Sequence, residues 1–149
     1  MRIAPFVPAQ LDEVIRLCAL EDWTTITEDP ARALRAFTAP GVVTLVALGE
    51  DGELLGFAQT LSDGAVQAYL ARLLVVEHAR RRGVGRLLVE HALSASGALR
   101  ADLLAAEGSE GFYRSFPHRQ CPGYRVALDE DGDGLASWPA QESDRPTPA

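Results

Sequence analysis

Lysine is absent from the sequence, all 14 of its permanent cations being arginine. A P-loop, which sets a lysine against its phosphates, is thereby excluded. No Gly-x-Gly-x-x-Gly occurs either, so a dinucleotide fingerprint is excluded as well. Cys18 and Cys121 are the only cysteines, too few and too far apart for a disulfide framework or a four-ligand zinc site. A reducing compartment is the simplest setting for them. No apolar run approaches the length that spans a bilayer, and Met1–Phe6 lacks the apolar core of a secretion signal. The expectation is a cytoplasmic protein with no membrane partner and no metal.

What is present is ample apolar residue. At 149 residues with 47% hydrophobic content, the chain can bury a core as one domain without cross-links. Charge is unevenly placed. Against 21 acidic residues stand 14 arginines, four of which (Arg80, Arg81, Arg82 and Arg86) fall in one short stretch. The remaining surface is strongly acidic and should repel nucleic acid while attracting cations such as protonated amines. This points to an anionic ligand at one place and a neutral or cationic partner at another.

In chain order, Arg2 to Phe6 reads as a short strand stopped by Pro5 and Pro8. Leu11, Val14, Ile15 and Cys18 recur at helical spacing, with Asp12 and Glu13 in the first turn where the helix dipole favours them. Glu21 to Thr25 breaks that pattern, and Asp29-Pro30 is an N-cap and first-turn signal for a second helix carrying Leu34 and Phe37. Gly41–Leu48 and Glu53–Leu61 read as a hairpin around Gly49–Gly52. A longer strand from about Val66 to Val76 follows, its alternation setting Tyr69, Ala71 and Leu73 on one face and Leu70, Arg72 and Leu74 on the other. A helix from Gly83 to about Gly97 leads to a strand over Arg100 to Ala106, which must lie parallel to its predecessor. Tyr124–Leu128 is expected as a later strand and Leu135–Trp138 as a closing one. Asp129–Gly134 mimics the start of a calcium loop, but Ala140 stands where that loop needs Glu and no helix precedes it, so an acidic turn is expected. Residues 139–149 have the composition of a disordered tail, leaving 1–138 as the domain.

The stretch Arg80-Arg81-Arg82-Gly83-Val84-Gly85-Arg86 organises this order. It joins an apolar strand, Leu73-Leu74-Val75-Val76, to a helix. Unpaired N–H groups and the positive end of a helix dipole meet there, which suits a phosphate. Gly83 and Gly85 allow turn dihedrals and keep a Cβ away from a pyrophosphate. The ordinary alternative is a solvated basic turn. Further on, Glu107 to Phe116 reads as a strand end leading to a short helix, with Phe112 and Phe116 spaced to face the core.

Arg-x-x-Gly-x-Gly after an apolar strand resembles the coenzyme A pyrophosphate loop of the GNAT (Gcn5-related) N-acetyltransferases, and Phe112-Tyr113-Arg114 resembles that family's later motif with its tyrosine. The resemblance runs from about Met1 to Leu128. It implies a single α/β domain with a mixed sheet of six to seven strands, helices on both faces and a V-shaped splay between strands 4 and 5. It implies that Leu73, Leu74 and Val75 offer strand backbone to pantetheine, and that the loop from Arg80 through Arg81, Arg82, Gly83, Val84 and Gly85 to Arg86 binds the pyrophosphate of acetyl-CoA. Tyr113 would protonate the leaving thiolate. An amine nucleophile needs a base, for which Glu107 at the mouth of the V is the first choice, with Glu77, His78, Glu21 and His118 as alternatives. Glu21, Asp22 and Trp23 lie in the acceptor wall and could hold the amine, although an exposed acidic loop is the commoner meaning. The sequence departs from the family's pattern at Ala106, Glu107 and Ser109, where many members place an asparagine, and at Phe116-Pro117-His118. The function implied is acetyl transfer to a small-molecule or peptide amine by direct attack in a ternary complex, from a monomer or homodimer. A non-catalytic coenzyme A-binding module and a nucleic-acid binder acting through Arg80–Arg86 are the competing readings.

Overall fold

The structure, a computed structural model, describes residues 1–126. Strands β1 (Arg2–Pro5), β2 (Val42–Leu48), β3 (Leu54–Ser62) and β4 (Gln67–Val75) lie side by side in chain order, each antiparallel to the last, and β5 (Arg100–Asp102) joins β4 in parallel. Between β1 and β2 come the helices α1 (Leu11–Ala19), α2 (Thr24–Thr27) and α3 (Pro30–Thr38); α4 (Val84–Ser96) connects β4 to β5, and α5 (Glu110–Tyr113) follows. Residues 9 to 38 therefore cover one face of the sheet and α4 the other.

Each helix forms for reasons visible in its residues. Val14 and Cys18, one turn apart, bury completely from α1. The Asp29 carboxylate accepts the Arg32 N–H at 2.9 Å and caps α3, with Pro30 at its first position. That bond, ahead of the nearby arginines, holds the Asp29 carboxyl below the usual carboxylate range. The Glu21–Thr25 break resolves into a turn followed by α2, a single helical turn of low intrinsic propensity. Burial of Ile26 in the core under α1 and α3 secures it.

Strands β2 and β3 are buried on both faces. Val46, Leu48, Leu54 and Phe57 pack with Val14, Ile26 and Phe37 on the α1–α3 side; Leu45, Ala47 and Ala58 pack with Val84, Leu88 and Ala92 on the α4 side. Phe57 stands edge-on to both Phe37 and Trp23, at 5.7 and 6.3 Å between ring centroids.

In β4 the simple alternation expected from the sequence fails. Arg72 stands opposite Gln59 and Leu70 opposite Thr60, so Ala71 is an extra residue, a β-bulge. Because side chains alternate with a period of two, one extra residue inverts the faces beyond it. Leu70 consequently packs on the α4 side while Leu74 packs on the α1–α3 side, and Leu73 and Val75 turn to α4.

The sheet has five strands among the described residues, fewer than the six to seven expected. β5 is also shorter than the Arg100–Ala106 run: it pairs with β4 only at Gln67↔Arg100, Ala68↔Ala101 and Tyr69↔Asp102. β4 continues to Val75 with no strand beside it on that edge, among the described residues, so the two strands part at Tyr69 and Asp102. Tyr124 and Val126, expected to begin a later strand, are exposed, and the described residues 124–126 form no strand. β-propensity makes a strand only where a neighbour offers a ladder. Residues 127–128, the acidic turn, the closing strand and the 139–149 tail lie outside the described residues.

Gly56 marks the tightest approach between β3 and β4, since a Cβ there would collide with the Leu74 carbonyl oxygen. Gly56→Ala is expected to destabilise the fold by about 1–3 kcal/mol, the usual cost of forcing an atom into a packed interior. Urea unfolding monitored by circular dichroism measures it, and an unchanged midpoint would show that the strands move apart freely.

Candidate active site

Beyond β4 the chain makes a 3-10 turn over Glu77–Ala79, whose Ala79 is buried, and reaches α4 through exposed arginines. Two residues here adopt left-handed backbone: Arg81, with φ of 59°, and Gly83, with φ of 83°. A non-glycine residue held there is uncommon and marks a loop shaped by its surroundings. The N–H groups of Arg81 to Arg86 meet no protein acceptor among the described residues, while Leu87 N–H closes the first helical bond onto Gly83. Such a run of free amides at the head of a 13-residue helix is an arrangement that suits an anion.

The arginines divide into two kinds. Arg81 and Arg82 are exposed and make no side-chain contact among the described residues. Arg80 is committed: its Nε donates to the Val75 carbonyl at 2.9 Å and its Nη2 to the Glu21 carboxylate at 2.8 Å. Arg86 pairs with Glu90 at 2.9 Å and lies 4.7 Å over the Phe116 ring. Gly83 is required by its backbone angle, and a Cβ there would meet nothing. Gly85 differs from expectation: its missing side chain would point at Phe112 and Val75, 3.5 Å away, inside the protein. A Cβ there would make ordinary van der Waals contact with α5 and β4 and would not project toward the loop's free amides.

Leu73, Leu74 and Val75 occupy the part of β4 that β5 has left, so their backbone borders the cleft between the strands. The Val75 carbonyl is already taken by Arg80. Across the cleft α5 leans on the first turn of α4: Phe112 lies against Gly85 and its ring centroid is 5.3 Å from that of Phe116. Tyr113 is half-buried beside the α4-side core, and its hydroxyl has no hydrogen-bond partner among the described residues. Burial, and then the neighbouring Tyr69 phenol, push its pKa above the ordinary tyrosine value. A phenol so placed stays protonated at neutral pH and can serve as a proton donor.

Of the base candidates, Glu107 and Glu77 are exposed and without an ion pair among the described residues. His78 lies 3.2 Å from Glu53, and His118 Nδ1 lies 2.9 Å from the Phe116 carbonyl. Of the acceptor-wall residues, Glu21 is held by Arg80, Asp22 is exposed with φ of 53°, and Trp23 is half-buried on Phe57. The structure thus joins Glu21 to the arginine loop and gives Trp23 a packing role.

Sequence reading passed over Gln59, Tyr69 and Arg72. Gln59 is 2% exposed; its amide donates to the Ala36 carbonyl of α3 at 2.7 Å, and its oxygen accepts from the half-buried Arg72 guanidinium. The available signal was a glutamine and an arginine inside runs of apolar strand residues, where a polar group costs free energy unless it has a use.

No helix among the described residues is long and apolar enough to cross a membrane. Residues 9–116 match the sequence profile of the Acetyltransferase (GNAT) family. Three solved structures share the fold: a point mutant of the BH1408 protein from Bacillus halodurans (TM-score 0.68, 20% identity, 87% of this chain and 99% of that one), an acetyltransferase from Trypanosoma brucei (TM-score 0.66, 19% identity, 86% and 98%), and the aminoglycoside acetyltransferase meta-AAC0020 from an uncultured soil metagenomic sample, in complex with sisomicin (TM-score 0.66, 18% identity, 86% and 96%). At these identities the likeness is one of fold. No curated protein matches the sequence.

The thiols differ in a checkable way. Cys18 is wholly buried and its pKa is pushed up to about 11 by desolvation, against a smaller lowering by Arg72, whereas Cys121 is exposed. At pH 8 a thiol reagent should titrate one cysteine in the native protein and two after denaturation. Rapid native modification of Cys18 would contradict this packing.

Proposed function

The chain belongs to the GNAT acetyltransferase family, and from that premise we propose that it moves an acetyl group from acetyl-CoA to a primary amine by direct attack in a ternary complex. The observation that carries this reading is the run of free amides from Arg81 to Arg86 at the head of α4, beside a strand edge that β5 has abandoned. An anionic diphosphate suits the first feature. An amide-containing arm suits the second, because unpaired strand groups need partners. Arg81 and Arg82 add charge without having to break an existing pair.

The chemistry then follows from the remaining groups. The amine nitrogen, once deprotonated, forms a bond to the thioester carbonyl carbon while the carbon–sulfur bond breaks. The departing sulfur takes the Tyr113 proton, and the nitrogen's surplus proton passes through water to Glu107. Strand N–H groups at the parting of β4 and β5 suit the carbonyl oxygen as its charge develops. Cys18, buried with a raised pKa, is a poor nucleophile, which favours the direct route over a covalent one. A reducing cytoplasm suits the two free thiols.

Thiol release from acetyl-CoA across a panel of amines tests the proposal. Tyr113→Phe should bind coenzyme normally and turn over at least tenfold more slowly, because a positioned acid contributes about 100-fold or more. In the parent enzyme the alkaline loss of kcat should lie above the ordinary phenol pKa of about 10. Coenzyme binding with no thiol released for any amine would replace the enzyme with a binding module. Gly83→Ala meets no steric obstacle yet must leave its left-handed angle at a cost of about 1–2 kcal/mol. Its acetyl-CoA dissociation constant, read by calorimetry, should rise about tenfold.

A further inference from the structure

The α3-side face of β4 carries a cation that no carboxylate among the described residues compensates. Arg72 is half-buried, and among the described residues its guanidinium meets one acceptor, the Gln59 side-chain oxygen. Gln59 is not free to turn away, since its own amide is spent on the Ala36 carbonyl. A guanidinium has five N–H donors, and no carboxylate faces Arg72 among the described residues. The groups around it are the neutral Cys18 thiol, the Tyr69 phenol and a second cation, Arg125. Burial lowers its pKa, but a guanidinium is not deprotonated inside proteins, so the group stays charged. A cation withdrawn from water without a counter-charge is costly, and a protein retains one where a ligand supplies the missing charge.

Its position shows which ligand. Tyr69 lies within electrostatic reach of both Arg72 and Tyr113, so the cation, this phenol and the proposed acid share one neighbourhood. Tyr69, though not Arg72 itself, lines a hollow of about 450 Å3 with Pro40, Gly41, Val42, Leu61, Asp63 and Gln67, where the Asp63 carboxylate is spent on the backbone N–H groups of Ala65, Val66 and Gln67. Val42, Leu61 and Tyr69 stand in cross-strand register, and Val43 and Leu70, their neighbours, face α4. The hollow therefore opens on the α3 side, the side on which Arg72 reaches Gln59. The acidic loop expected to receive a cationic acceptor has meanwhile spent Glu21 on Arg80.

We propose that the acceptor is an amine that also bears a carboxylate, received by the Arg72 guanidinium fork while its amine points toward Tyr113. Arg72 is then a specificity-determining residue and Gln59 the group that positions it. This rests on the transferase reading for its chemistry, though not for its binding step. A planar carboxylate matches the fork in two parallel hydrogen bonds, which an uncharged amide cannot reproduce.

Thiol release from acetyl-CoA is measured with L-amino acids and with their carboxamides, in the parent and in Arg72→Gln and Arg72→Lys. The parent is expected to prefer carboxylate over carboxamide acceptors at least tenfold in kcat/KM, chiefly through KM, a size typical of hydrogen bonds to charged groups. That ratio should collapse in Arg72→Gln and recover in part in Arg72→Lys. Equal use of carboxylate and carboxamide by the parent overturns the proposal, as does a preference that survives Arg72→Gln. Should Arg72→Gln fail to fold, the parent's preference and Arg72→Lys still decide. Calorimetric binding of the same pairs, with no acyl donor present, separates the two ideas. A carboxylate preference there without turnover would sink the transferase alone, and turnover without a preference would sink the carboxylate site alone.

Discussion

Strand β4 keeps β5 beside it only as far as Tyr69 and Asp102, then runs on to Val75 with one edge bare. Backbone N–H and C=O groups inside a protein need partners, and a bare edge so close to the core is stable only if something else meets it. The functional features are set along that edge. The arginine loop begins where β4 ends, α4 starts beside it, and α5 lays Phe112 and Tyr113 against the same corner. The bulge at Ala71 lies on this stretch and turns Arg72 away from the α4 side, toward Gln59.

One arginine connects the two walls of the cleft. Arg80 holds the last carbonyl of β4 and, through Glu21, the turn after α1. Both partners are about half exposed, so the ion pair by itself adds little stability. Its consequence is geometric: the loop that presents free amides and the loop that borders the acceptor side cannot shift independently while it holds. The net charge of −7 describes the chain as a whole, and the exposed Arg81 and Arg82 at the head of α4 depart from it locally.

Much of the fold was legible because it is written in local terms. Apolar spacing in Leu11–Cys18, the Asp29-Pro30 start of α3, the Gly49–Gly52 turn and the glycines at the ends of α4 each act within a few residues, and each gave an element close to the observed one. The turn at Gly83 and the short helix that carries Tyr113 were legible for the same reason. The errors are all non-local. An expected seven-residue fifth strand became Arg100–Asp102 because strand length is set by the neighbour, and β4 and β5 part after three pairs. The side to which a Cβ at Gly85 would point, against Phe112, likewise depends on a residue far along the chain.

The sequence by itself determined the order of helices and strands among the described residues and the left-handed turn at Gly83 that opens α4. Tertiary structure alone decided that Glu21 and Arg80 neutralise each other, that Trp23 packs on Phe57, and that Arg72 stands half-buried with Gln59 as its acceptor. The physical reason is distance along the chain. Capping, turn angles and helical spacing act over a few residues, whereas charge pairing and burial depend on which remote segments the fold brings together, and a single bulged residue is enough to change the face on which a charge appears.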